Sequence, residues 1–307
     1  MTLLRPSARA SQLAGRAEDA LHAIATMVES AKREASRSLP SGTYALVRLR
    51  TAHLLGVDDA WRPVIGDVRL EQLADWPTST AFSATDRTIL SVAEQFQLDV
   101  SGTTGVQRAD LHDALGDDAD VLLDVLYAVD AEVRLCAATR QLFGTDPLTD
   151  VVPDLGVGLA EALNRVTTEI SRLDTLDPLT TELVRLRGAR LHHCRLCESL
   201  RHADALAAGG TEGFFAQIDD YEAADFSDRH TVALRLTDAV LARPGDFPDG
   251  LADQVHHELA PAEVLEIVLD VVRNARNKVA VARGTDGDGV GEEVRVFATP
   301  GGRFELR

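Results

Sequence analysis

Cysteine is scarce in this sequence: three residues among 307. That excludes a disulfide-built scaffold and leaves any close pair to be read as catalytic or metal-binding. Long apolar runs are missing too. No stretch approaches the roughly 18 apolar residues a membrane-spanning helix needs, and Met1–Leu13 carries arginines without the apolar centre of a secretory signal. A cytoplasmic location is therefore expected. Basic residues are outnumbered, 31 Lys and Arg against 49 Asp and Glu, for a formal charge of -18. This argues against nucleic acid and against an anionic membrane surface as partners. There is no G-x-G-x-x-G after a strand and no Cys-x-x-Cys-His, so nothing points to a nicotinamide, flavin or haem cofactor, and none is expected.

What is present is helical periodicity. Leu13, Ala17, Leu21, Ile24, Ala25 and Val28 repeat at three-to-four spacing over Leu13–Ala31, and Ala119–Phe143 and Glu263–Ala282 do the same over longer spans. Breakers separate such segments, among them Leu39-Pro40-Ser41-Gly42, Leu176-Asp177-Pro178 and Arg243-Pro244-Gly245. The expected fold class is all-α. The length allows two cores, and the halves resemble each other. Leu46-Val-Arg-Leu-Arg50 recurs as Leu183-Val-Arg-Leu-Arg187, each after a Pro-containing break, and Phe82-Ser-Ala-Thr-Asp-Arg87 echoes Phe226-Ser-Asp-Arg229. Tandem duplication follows: a first copy over 1–147, a second over 148–286, and a tail over 287–307. In the tail, a flexible acidic Gly284–Gly291 linker leads to a β-hairpin around Thr299-Pro-Gly-Gly302, which should dock on the helices or on a neighbouring subunit.

The second copy carries the chemistry. Glu182 stands twelve residues before Cys194, in Cys194-Arg-Leu-Cys197, with His192 and His193 before the pair and Arg201 and His202 after it. Aligning the two pentapeptides puts Ala45, Val57 and Ala60 opposite Glu182, Cys194 and Cys197, so the first copy lacks both thiols and acid. A continuous helix would hold Glu182 about 18 Å from Cys194; a shared site needs the chain to break near His192-His193. If a helix restarts at Cys194, its dipole favours thiolate, and Arg201 falls on the same face as Cys197. Other readings stand beside this one. The cysteines and histidines could be part of a zinc site, although no second cysteine pair completes it. The cysteines could be buried helix residues, Glu182 an ion-pair partner of Arg185 or Arg187, and Arg201 and His202 bystanders. Cys136, on an apolar helix, reads as core.

Glu-x11-Cys-x-x-Cys between two helices resembles the AhpD-like alkylhydroperoxidase and carboxymuconolactone decarboxylase family, over residues 155–285 and in degenerate form 15–145. The resemblance implies an all-helical homo-oligomer. It implies an AhpD-like thiol peroxidase that reduces a small-molecule hydroperoxide and is restored by a dithiol reductant, a lipoylated or thioredoxin-like protein. It makes Cys197 the attacking thiol, Cys194 the resolving one and Glu182 the acid end of a proton relay. The family's relay histidine, four residues after the second cysteine, is replaced by Arg201, so His193 or His202 would take over the relay or Arg201 would stabilise a thiolate. A non-redox lyase of the same superfamily, and a binding protein with a vestigial site, are the alternatives.

Overall fold

The computed structural model describes residues 8–57, 68–288, 290–291 and 293–307. Ala60, opposite Cys197 in the halves' alignment, and the start of the Met1–Leu13 segment lie outside the described residues. The helices of the first half are α1 (Ala8–Ser38), α2 (Thr43–Leu54), the one-turn α3 (Val68–Glu71), α4 (Ala84–Leu98), α5 (Gly105–Leu115) and α6 (Asp118–Phe143). The second half holds α7 (Leu159–Ile170), α8 (Pro178–Leu191), the single turn α9 (Arg195–Glu198), α10 (Ala203–Ala207), α11 (Glu212–Phe215), α12 (Asp228–Ala242), α13 (Leu251–Glu258), α14 (Pro261–Asn274) and α15 (Asn277–Arg283). Three short strands, β1 (Leu200–His202), β2 (Arg295–Ala298) and β3 (Glu305–Leu306), complete the chain. The chain is all-α with a short C-terminal strand segment, as expected.

The apolar stripes dictate the packing. Leu21, Ile24, Met27 and Val28 of α1 are buried against α6 and α7, and one continuous core runs from these residues through α6 to Val264, Val268 and Val272 of α14. Each half pairs its elements alike: α2 packs on α4 and α6, and α8 packs on α12 and α14. Ser83 and Ser227 cap α4 and α12 by accepting a backbone N–H. The final arginines of the repeated pentapeptide also pair alike, Arg50 with Glu94 at 2.5 Å and Arg187 with Asp238 at 2.6 Å. Cys136 is buried in α6.

Two expected segments differ. The helix expected over Glu263–Ala282 is interrupted after Asn274. Lys278 and Val279 donate to the carbonyls three residues back rather than four, a tightening that lets Lys278 reach Asp130 of α6 at 3.2 Å and aims Asn277 the other way, at Cys197. The Gly284–Gly291 linker is tied down in its first part: Asp286 is buried and its carboxylate accepts from the Arg195 backbone N–H at 3.0 Å and from its guanidinium.

The tail forms the expected hairpin, with Phe297 opposite Leu306 and Ala298 opposite Glu305. It docks by adding β2 in parallel to β1, placing Leu200, Arg201 and His202 opposite Arg295, Val296 and Phe297. The turn lies on α7. Gly302, at φ +82°, has the Thr168 carbonyl where a Cβ would stand, so glycine alone permits this approach.

Candidate functional site

The thiol segment begins where α8 ends. Asp177 caps α8, with Pro178 in its first turn and Leu183, Val184 and Leu186 buried. His193, at φ +49°, turns the chain back in the left-handed conformation that ends many helices. Cys194 then caps the single turn α9, its sulfur accepting from the Cys197 N–H at 3.3 Å. The break near His192-His193 that a shared site requires is thus present. Cys194 and Cys197 are joined as a disulfide, with Cα atoms 5.3 Å apart. Cys194 is buried, whereas Cys197 lines a cavity of about 830 Å³.

That cavity is walled by the end of α7 (Thr167, Thr168, Ser171), by Glu182 and Arg185 of α8, by Cys197, Leu200 and His202, by the α14–α15 junction (Asp270, Arg273, Asn274, Arg276, Asn277), and by the tail (Phe297, Thr299, Phe304). The C-terminal hairpin is therefore a wall of the site.

The expected site residues fall in different places. Glu182 lines the cavity but is locked in the Arg185 ion pair, both oxygens accepting at 2.7 Å, and it also accepts from the His202 backbone N–H at 3.2 Å. Arg185 stands between the acid and the thiols, donating to the carbonyls of Cys197 (2.8 Å) and Leu200 (2.6 Å). His202 lines the cavity. Its Nδ1 accepts from the Asp204 N–H, its Nε2 meets Thr299 Oγ1 at 3.1 Å, and burial holds its pKa below the ordinary 6.5. His193 points to solvent instead, so it is not brought into the site.

Arg201 does not share a helix face with Cys197. α9 stops at Glu198, and residue 201 lies in β1 because the tail strand pairs with it. The buried guanidinium donates to the carbonyls of Glu198 and Leu200, pairs with Glu212 at 2.7 Å and lies over the Phe215 ring, and neither sulfur is among these partners.

A side-chain contact to Cys197 comes from a residue that the sequence did not single out. Asn277 Nδ2 donates to Cys197 Sγ at 3.2 Å, and Asn277 Oδ1 meets Nδ1 of His192 at 3.1 Å. His192 is buried; desolvation and the Lys278 and Arg134 charges push its pKa down to about 3. It is therefore neutral near pH 7, with one ring N–H and one acceptor nitrogen; in the tautomer with the proton on Nδ1 it donates to Asn277 Oδ1. Asp270, 2% exposed on the cavity wall, is pushed up to about 6 by burial despite Arg273 at 3.2 Å. Among the described residues no group of three or more His, Cys, Asp or Glu is arranged to hold a metal ion, and no helix is long and apolar enough to cross a membrane.

Compared with known proteins, the chain is 37% identical over 214 residues to two proteins of Mycobacterium tuberculosis, "Uncharacterized protein MT2376" of strain CDC 1551 / Oshkosh and "Uncharacterized protein Rv2313c" of strain ATCC 25618 / H37Rv. The match covers 66% of this chain and 74% of each relative. The chain belongs to their family. No family model matches it, and no solved structure does. For this member, the one available signal of Asn277 was polar Arg276-Asn277-Lys278 breaking an apolar helical run; its partner Cys197 lies 80 residues away in sequence.

Proposed function

We propose that the chain is a thiol-dependent peroxidase, or a closely related disulfide oxidoreductase, acting through Cys197 and Cys194. The observation that carries the reading is asymmetric exposure: Cys197 faces the cavity with a hydrogen-bond donor on its sulfur, and its bonded partner Cys194 is buried behind it. In the reduced form the Cys197 thiolate attacks the terminal oxygen of a hydroperoxide. An S–O bond forms, the O–O bond breaks, and the alkoxide leaves and takes a proton from water as the alcohol. The Cys194 thiol then attacks the sulfenic acid, forming the disulfide and releasing water. An external dithiol, a lipoylated or thioredoxin-like protein in a reducing cytoplasm, exchanges with the disulfide and returns both thiols. The chain is proposed to work as a homo-oligomer, on the family resemblance.

In this proposal Glu182 is not the end of a proton relay, because Arg185 occupies both of its oxygens. The test is consumption of cumene hydroperoxide with dithiothreitol as reductant. Turnover lost in both Cys197→Ser and Cys194→Ser supports the proposal; turnover that survives Cys197→Ser ends it. A second reading, a non-redox lyase in the same cavity, is favoured by Asp270, a cavity-wall carboxyl whose pKa burial raises to about 6. That activity would survive Cys197→Ser and vanish in Asp270→Asn.

A further inference from the structure

We infer that Asn277 is a catalytic residue that sets the reactivity of Cys197 by donating to its sulfur, and that His192 is the positioning residue that aims the Asn277 amide. The inference rests on the thiol reading of Cys197, and its test needs no peroxide.

An amide is an ambiguous partner for a sulfur. Asn277 can present either its oxygen or its NH2 group to a neighbour, and the two have opposite effects on a thiolate. The His192 tautomer with its proton on Nδ1 selects the second. Its imidazole is buried, and Lys278 and Arg134, both facing it, oppose a second proton while Asp130, between them, only partly offsets them. The neutral ring carries one N–H, and in the tautomer with that proton on Nδ1 the acceptor at 3.1 Å is Asn277 Oδ1. With its oxygen engaged, Asn277 turns Nδ2 toward Cys197 Sγ.

A neutral donor on a disulfide sulfur gains little. On a thiolate the same bond is charge-assisted and roughly twice as strong. It therefore favours the state that attacks substrate. The nearby Arg185 guanidinium adds positive charge, but its hydrogen bonds go to the Cys197 and Leu200 carbonyls and to Glu182, which neutralises it. Among the described residues, Asn277 is thus the side-chain donor to this sulfur. The tail strand and Arg201, although close in sequence or space, direct their polar groups elsewhere.

The test is ultraviolet thiolate titration, with iodoacetamide alkylation rates, of the reduced full chain in a Cys194→Ser background. Cys136 stays silent in that background, since burial pushes its thiol well above the ordinary range. Asn277→Ala should raise the Cys197 thiol pKa by about one unit, a roughly tenfold loss of thiolate and of alkylation rate at fixed pH below that pKa. Asn277→Asp, of the same shape, should raise it further, because it replaces a donor with a carboxylate. His192→Ala should reproduce most of the Asn277→Ala shift, His192→Gln should restore it by keeping a donor, and His192→Ala added to Asn277→Ala should change nothing more. A Cys197 pKa unmoved in Asn277→Asp and Asn277→Ala overturns the inference, as does a full, additive effect of His192→Ala. Loss of peroxide turnover by the wild type with these shifts intact would sink the peroxidase reading and leave the Asn277 assignment standing.

Discussion

Replacing His192 by glutamine should make the protein less sensitive to acid. The wild-type imidazole is neutral in the fold down to about pH 3, whereas in the unfolded chain it takes a proton near its ordinary value of 6.5. Above 6.5 both states are neutral and the histidine costs nothing. As the pH falls below 6.5 the unfolded chain alone binds the proton, so stability is lost progressively until the folded pKa is reached. At about pH 5 the loss is about 2 kcal/mol, from roughly 1.5 units at 1.36 kcal/mol each; it approaches about 5 kcal/mol near pH 3. Glutamine keeps a donor for Asn277 and has no proton to gain. Urea unfolding of both proteins at about pH 7.5 and about pH 5 reads the difference, since His202, His230 and the carboxyls titrate alike in the two and cancel. The wild type should lose about 2 kcal/mol more than His192→Gln across that interval. Parallel losses would refute a buried, neutral His192.

Other consequences follow from the same contacts. Glu182→Gln leaves the Arg185 charge unmatched in a buried setting and should cost roughly 3 kcal/mol in urea unfolding; a loss under 1 kcal/mol would show the pair to be solvated. Asp270 is raised from 3.8 to about 6, so the fold loses stability as the pH rises from about 4 through 6; Asp270→Asn should flatten that fall by about 2.5 kcal/mol, measured as the change in unfolding free energy between about pH 4 and pH 8. Gly302→Ala forces a Cβ into the Thr168 carbonyl and should lift the hairpin from α7, seen as faster tryptic cleavage at Arg295 and Arg303 with the helical circular dichroism unchanged.

The local features of the site were legible in sequence. Pro178 and Asp177 mark the start of α8, the histidines mark its end, and Thr-Pro-Gly-Gly marks the hairpin turn. The Glu182–Arg185 pair was visible as an alternative because three residues on a helix make neighbours. What escaped was set by distant pairing. Helical spacing put Arg201 beside Cys197, but β2, far along the chain, draws residues 200–202 into a strand and turns that side chain toward Glu212. Asn277 escaped for the same reason: its place beside Cys197 comes from a helix interruption that also lets Lys278 reach Asp130 across the core. His193 was favoured over His192, yet the left-handed turn that brings Cys194 back is what faces His193 outward and buries His192.

The central claim is that Cys197 is a redox nucleophile and Cys194 its resolving partner. The measurement that meets it most directly is a single turnover: the reduced protein mixed with one equivalent of cumene hydroperoxide, then digested and analysed by mass spectrometry, with dimedone present for the Cys194→Ser variant. A Cys194–Cys197 disulfide is expected in the wild type and a dimedone adduct on Cys197 in the variant. Unchanged thiols in the wild type, or an adduct absent from Cys197, would contradict it.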